Sequence, residues 1–257
     1  MKELTAVLDE FAPISLEEME SVKLMNRIDT KFVMPMRDLP TLLEMAKPAY
    51  FAQQIDGKRI ASYDTTYYDT EDLDMYIRHH DRQLVRQKIR IRTYIESHLN
   101  FLEIKRKNNK GRTKKKRIPL PSNEIACPND EVKTFIASKS RYRWEDIQPR
   151  LKTIFRRITL VNKEKTERLT IDMDLQFVNI RAHYGVTFPE LVIVELKRDG
   201  NVSSPMLNIM QTMRIKPLKI SKYCVGTALT NPDIKRNRFK KKVRSIKKTL
   251  HDELQNI

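Results

Sequence analysis

The chain has 257 residues, 40% hydrophobic and 32% charged, with a formal net charge of +17 and only 5 Gly. That composition excludes a disordered polar chain and a collagen-like or Gly-linker architecture. The charge excess calls for a polyanion: nucleic acid, an anionic membrane surface or a phosphate-rich substrate. The two cysteines, Cys127 and Cys224, match no metal spacing, so a reducing cytoplasm is expected rather than disulfide-stapled secretion. The first twenty residues are acidic and lack a long apolar run, which argues against a signal peptide. No stretch reaches the roughly 18 apolar residues of a spanning helix. The expected location is cytoplasmic, or peripheral to a membrane.

Residues 15–25 read as a helix, with Ser15 and Glu18 as a capping box. NRIDTKFVMP (26–35) alternates as a first strand stopped by Pro35, and 38–47 places Leu39, Leu42, Leu43 and Ala46 on one helical side. RIASYDTTYYDT (59–70), rich in Tyr and Thr, reads as a strand, and 71–84 as a helical or irregular connection. Three strands are expected at 85–96, 100–107 and 113–120, the last two joined by a turn at NNKG (108–111). Residues 130–158 read as mostly helical with a break near Pro149. Strands follow at 167–180 and 189–200. A helix is expected over 203–215, with Ser204 as N-cap, Pro205 at its first position and Met206, Ile209, Met210 and Met213 facing the core. The tail from Lys235 to Lys248 is strongly basic and patterned as a helix. Strand-helix alternation and a GxGxxG loop are both missing from the sequence, so the fold class is α+β with an antiparallel sheet or barrel.

The strands repeat one design. Arg86, Lys88, Arg90 and Arg92 fall on alternate residues and so on one face of a strand. Phe101, Glu103, Lys105 and Lys107 share a face, as do Lys115 and Arg117, Glu195 and Lys197, and Arg27, Asp29 and Lys31. Arg168 shares a face with Asp172, which could pair with it or join Asp174 as a metal ligand. Two readings stay open from pattern alone: an ordinary solvated face, or a cation-lined channel whose repulsion is relieved by polyphosphate or a nucleoside triphosphate. A barrel of about eight strands has room for such a ligand. Arg offers a fork of donors to phosphate oxygens and Lys a compact charge. His79-His80 has no partner at ligand spacing. Trp144 with Tyr142 could stack a base, but anchoring a helix fits better. The basic strands alternate with Ile, Val and Leu rather than aromatic residues, which makes nucleic acid a poor partner. The basic tail could meet polyphosphate, nucleic acid, an anionic surface or a membrane-protein partner, or be a solvated helix.

Several short motifs, in order, resemble the catalytic domain of the vacuolar transporter chaperone (VTC) polyphosphate polymerases, within the triphosphate tunnel (CYTH-like) superfamily. They are RIDTKF, YYDT, RIRTY, LEIKRK, KKKRIPL, FRRITL with RLTIDMDL, IVELK and KISKY. The resemblance spans about residues 22–230 and implies a tunnel domain over 1–230, an antiparallel β-barrel of about eight strands flanked by helices, with a separate tail at 231–257. It implies phosphate-binding roles for Lys31, Arg90, Arg92, Lys105, Lys115, Arg156, Arg168 and Lys222, supported by Arg27, Arg117, Lys219 and Ser221. Glu195, with Glu103, would hold Mn²⁺ or Mg²⁺. The implied reaction moves the γ-phosphoryl group of ATP onto inorganic polyphosphate. Where hydrolytic members open with Glu-x-Glu-x-Lys, this chain has Arg27-x-Asp29-x-Lys31, which favours the polymerase branch. The alternatives are a metal-dependent triphosphatase and a non-catalytic polyanion binder. The family's fused phosphate-binding helical domain and membrane segments have no counterpart in the sequence, so the expectation is a stand-alone soluble core.

Overall fold

Period-two patterning in the middle of the chain produces one large sheet in the computed structural model, which describes residues 2–20, 22, 27–122 and 128–251. In chain order the elements are α1 (Lys2–Asp9), β1 (Ala12–Ile14), α2 (Leu16–Glu20), β2 (Arg27–Pro35), α3 (Leu39–Ala46), β3 (Tyr50–Gln53), β4 (Ala61–Asp69) and α4 (Asp74–His80). There follow β5 (Arg86–Tyr94), β6 (Leu99–Lys107), β7 (Thr113–Pro119), α5 (Asp130–Lys139), β8 (Gln148–Asn162), β9 (Glu167–Asn179), β10 (Tyr184–Phe188) and β11 (Leu191–Asp199). The chain closes with α6 (Pro205–Thr212), α7 (Lys222–Thr230) and α8 (Lys240–His251). Among the described residues no helix is long and apolar enough to cross a membrane.

The main path of the sheet runs β2-β11-β9-β8-β4-β5-β6-β7, with every neighbouring pair antiparallel. This is the α+β fold of about eight antiparallel strands with flanking helices that the sequence leads one to expect. β10 adds to β9, and β3 to β8. Among the described strands only β1 on β3 is parallel. The path is curled. Glu195 on β11 and Lys105 on β6 feel each other's charge. Five strand spacings would separate them by about 24 Å in a flat sheet, beyond a Debye length at physiological salt. The sheet ends are dealt with differently. The edge of β2 is partly covered by the chain before α7, where Leu218 N–H donates to the Lys31 carbonyl at 2.8 Å. β7 keeps an exposed edge rich in Lys and Arg, which discourages pairing with another chain.

The convex side of β2, β11, β9 and β8 carries Phe32, Met34, Val192, Val194, Leu196, Leu169, Ile171, Met173, Ile158 and Leu160, all fully buried. α1, α3 and α6 seal it. α3 contributes Leu39, Leu42, Leu43 and Ala46 at helical spacing, and α6 starts where Ser204 Oγ accepts the Leu207 N–H at 3.1 Å. Ser15 and Glu18 form the expected reciprocal cap of α2. The concave side is half filled. α7 lies within the curl, buried on nearly every side, and packs on β8 and β9. Gly226 permits that approach: a Cβ there would sit 2.5 Å from Phe177 Cδ1 and 2.8 Å from Leu151 Cδ2.

The structure corrects the sequence reading in places. Residues 130–158 are not mostly helical. The helix ends with α5, and 148–162 form a 15-residue strand, the longest in the sheet. Pro149 sits near its start, where a proline is tolerated. Thr153, Ile154, Ile158, Thr159 and Val161 supply the β-branched side chains a strand prefers. A register shift between Ile154 and Arg156 disturbs the alternation and disguised the pattern. α1, α7, β1, β3 and β10 were not anticipated. Of the helix expected at 15–25, the structure contains 16–20. Residues 21 and 23–26, including Asn26 of the first strand, lie outside the described residues, as do Cys127 and the last part of the tail. Trp144 packs against Tyr68, ring centroids 5.2 Å apart, in keeping with an anchoring role.

Candidate active site

Strand registers decide which charges meet. Lys31 lies opposite Glu195, and Lys197 opposite both Asp29 and Arg168. Asp172 faces Arg157 across β8. Thr65 and Tyr67 on β4 face Arg92 and Arg90, which face Phe101 and Glu103. Glu103 in turn faces Arg117, and Lys105 is flanked by Lys88 and Lys115. All these residues share the concave side, beside the region filled by α7. Ser221 caps α7, its Oγ accepting the Cys224 N–H at 3.3 Å and a bond from Lys88 Nζ at 2.7 Å. Lys222, the first residue of that helix, reaches Asp172.

Three carboxylates hold this set of cations. Glu195 takes Lys31 Nζ at 3.1 Å and Lys197 Nζ at 3.7 Å. Asp172 takes Arg157 in a two-point contact, Nε to Oδ1 at 2.6 Å and Nη2 to Oδ2 at 3.0 Å, together with Lys222. Glu103 takes Arg90 Nε at 2.7 Å and Lys115 Nζ at 3.2 Å. Burial alone would raise all three carboxyls, but the surrounding cations hold each well below the ordinary range.

The cations outnumber these acids, and the charged forms of several are disfavoured as a result. Lys105 has no hydrogen bond or ion pair among the described residues. The Arg90 charge and then burial push its ammonium well below the usual lysine value. Burial brings Lys197 down to about 8 despite Glu195. Arg168 is lowered by burial and by Arg27 and Arg157. Arg92 is lowered by burial, Arg90 and Arg157; its Nε donates to Thr65 Oγ1 at 3.2 Å and its guanidinium lies 5.3 Å from the Tyr63 ring. Such a face is electrostatically incomplete, with buried donors converging on a space that lacks negative charge.

Of the residues expected from sequence, Lys31, Arg90, Arg92, Lys105, Lys115, Arg168, Lys222, Ser221, Glu103 and Glu195 come together on this face. Arg117 also shares it and stacks over Phe101 at 4.4 Å. Arg27 pairs with Asp29 at 2.6 Å at the exposed rim, and Lys219 is exposed in the segment ahead of α7. Arg156 does not join them. It points to the other side of β8, where it meets Asp174, and the neighbouring Arg157 occupies the concave position. The expected partnership of Asp172 with Arg168 is likewise replaced by Arg157 and Lys222. Arg157, Lys197 and Lys88 are the additions. Lys197 and Lys88 stood in the alternation already; Arg157 could be found only by reading 148–162 as a strand.

A divalent cation has a restricted welcome. No group of three or more His, Cys, Asp or Glu converges among the described residues. Both oxygens of Glu103 are engaged and its side chain is 1% exposed. Glu195, 19% exposed and with Lys197 at 3.7 Å from its second oxygen, is the most accessible of the three carboxylates. That fits a metal bound through one carboxylate with phosphate oxygens and water completing its shell, a common arrangement for Mg²⁺.

Residues 26–231 match the VTC domain family. No curated protein sequence matches the chain. Similar solved structures include a protein from Hippeastrum described as an adenylyl cyclase candidate with a dominant triphosphatase activity, at 14% identity, TM-score 0.49, covering 80% of this chain and 97% of that one. A second, described as an adenylate cyclase candidate from Vibrio parahaemolyticus, has 9% identity and TM-score 0.46 and covers 78% and 99%. A third, from Pyrococcus horikoshii, has 12% identity and TM-score 0.43 and covers 79% and 96%.

Proposed function

The chain belongs to the VTC domain family, and from that premise we propose that it is a polyphosphate polymerase: it transfers the γ-phosphoryl group of ATP to the end of an inorganic polyphosphate chain. The observation that carries this reading is the excess of cations over acids on the concave face, with Lys105 and Arg168 left without ion-pair partners there among the described residues. A chain of phosphates supplies the missing negative charge at many points. A hydrolytic site built around two metals would need more carboxylates than Glu195, Glu103 and Asp172, each of which already holds cations.

In the proposed reaction a terminal phosphate oxygen of the polymer attacks the γ-phosphorus, and the bond from that phosphorus to the bridging oxygen of ADP breaks. The attacking oxygen is already anionic, so no general base is required. Phosphoryl transfer of this kind depends on positioning and charge neutralisation. Arg90, Arg92, Arg157 and Arg168 bind phosphate oxygens with planar forks, and Lys31, Lys88, Lys105, Lys197 and Lys222 with point charges. Ser221 orients Lys88. Glu103 and Asp172 fix the guanidinium planes of Arg90 and Arg157. Glu195 would hold Mg²⁺ or Mn²⁺, which when bound would supply Lewis-acid neutralisation of phosphate charge.

The test is incubation of the purified protein with ATP and Mn²⁺, with products resolved on a polyphosphate-stained gel and free phosphate assayed in parallel. Long chains and ADP, lost in Arg90→Ala and Glu195→Ala, are expected. Free phosphate without chains would move the protein to a triphosphatase, and neither product would leave a polyanion-binding module.

A further inference from the structure

α8 sets out an array of charge that nothing among the described residues balances. Its sequence, KKKVRSIKKTLH, contains no acid. Lys240, Lys241, Arg244, Lys247 and Lys248 are exposed, and none has an ion-pair partner among the described residues. Three lysines occupy the first turn, where the helix dipole disfavours positive charge. Lys240, Arg244 and Lys248 stand at successive four-residue spacings, where like charges repel. Local physics alone would select against the three lysines of the first turn and against the Lys240-Arg244-Lys248 row.

The apolar side of the helix is already used. Ile246 is buried and Leu250 packs against the same cluster, which also holds Phe239, Val33, Leu191 and Ile193. α8 lies against β2 and β11. An interfacial membrane helix needs a free apolar face to sink into the bilayer, and here that face is occupied. What remains outward is charge without hydrophobic insertion.

This charge also connects with the concave face. Lys242 feels both Lys88 and Lys219, and Lys219 is felt by Lys107 at the end of β6. Lys88 in turn bonds Ser221 at the entrance of α7. Lys88, Lys219 and the half-buried Lys242 thus lie near one another between the start of α7 and the first turn of α8.

We propose that the exposed face of α8 is a binding track for linear polyphosphate, engaging the part of a long chain that extends out of the concavity. The track rests on the reading of polyphosphate as the ligand of that concavity, and it adds a length-dependent outer site. Short ligands occupy the concave cations only, whereas long ones also neutralise α8.

The experiment compares wild type with a variant in which Lys240, Lys241, Arg244, Lys247 and Lys248 are all replaced by Gln, titrating each with tripolyphosphate and with polyphosphate of many tens of units, without ATP. Thermal melts establish that the variant is folded; removing repulsion should leave its stability unchanged or higher. The expected result is at least a tenfold loss of long-chain affinity (about the effect of removing several phosphate contacts), a shallower salt dependence and an unchanged tripolyphosphate affinity. Equal affinity for the long chain in both proteins, or equal losses for both ligands, would overturn the track. If tripolyphosphate fails to bind the wild type, the underlying reading of the concavity falls as well. Phosphatidylserine vesicles and duplex DNA serve as further arms. Loss of vesicle or DNA binding in the variant with long-chain polyphosphate binding intact would reassign α8 to that partner and overturn the proposal.

Discussion

Along β11, neighbouring residues serve opposite ends. Val192, Val194 and Leu196 lie in the convex apolar cluster with no exposed surface, while Glu195 and Lys197 between and beyond them face the concave charges. The convex side is satisfied at every level: alternation, helix cover and packing agree. On the concave side burial and like-charge repulsion oppose the charged forms of Lys105, Lys197 and Arg168. The contrast teaches that the first face supplies the free energy that holds the second in an arrangement unfavourable without a ligand. Stability and function are thus separated by one residue of register.

That separation can be broken most severely where a charge is structural. Asp172→Ala leaves Arg157 and Lys222 without their carboxylate in a buried setting and should cost about 3–5 kcal/mol in urea denaturation, with tripolyphosphate recovering part of it by binding the native state. On the satisfied face, Leu196→Ala should cost about 2–5 kcal/mol and leave tripolyphosphate affinity unchanged in the folded fraction. The reverse pattern is expected of Lys105→Met: the proposed phosphoryl transfer falls by about 10²–10³-fold, while the melting temperature holds or rises because a repelled buried ammonium is gone. A Lys105→Met protein with a clearly lower melting point would show that this lysine supports the fold.

The smallest expected effect is a pH dependence. Lys197 titrates near 8 in the folded protein, against 10.5 for an ordinary lysine. Between these values the unfolded chain binds more protons, so this residue's contribution to stability becomes more favourable as pH rises from about 8 to about 10.5. Anion affinity moves the other way, since deprotonation removes a cation. Calorimetry with tripolyphosphate should show a few-fold weakening between about pH 7 and about pH 9, and Lys197→Arg, charged throughout, should flatten it.

Much of this was legible in the sequence, for a physical reason. Strand side chains alternate, so the grouping of Arg90 with Arg92, Glu103 with Lys105, and Glu195 with Lys197 needs no tertiary information. The same holds for the caps at Ser15 and Ser204, where short-range bonds decide the geometry. The FRRITL resemblance points to Arg156 rather than Arg157, and a helical reading of 130–158 offers no strand alternation to tell the two faces apart. α7 was missed because a helix buried on nearly all sides has little amphipathic pattern.

By itself, then, the sequence determined most of the strands with charged faces, the α+β class and the excess of cations, because these follow from local periodicity and net charge. Only the tertiary structure decided that β6 and β11 approach across the curl, that Arg157 rather than Arg156 meets Asp172, and that α7 delivers Lys222 into the concavity through the space left by Gly226. Those outcomes depend on strand registers, sheet curvature and close packing between residues far apart in the chain, and no window of sequence contains them.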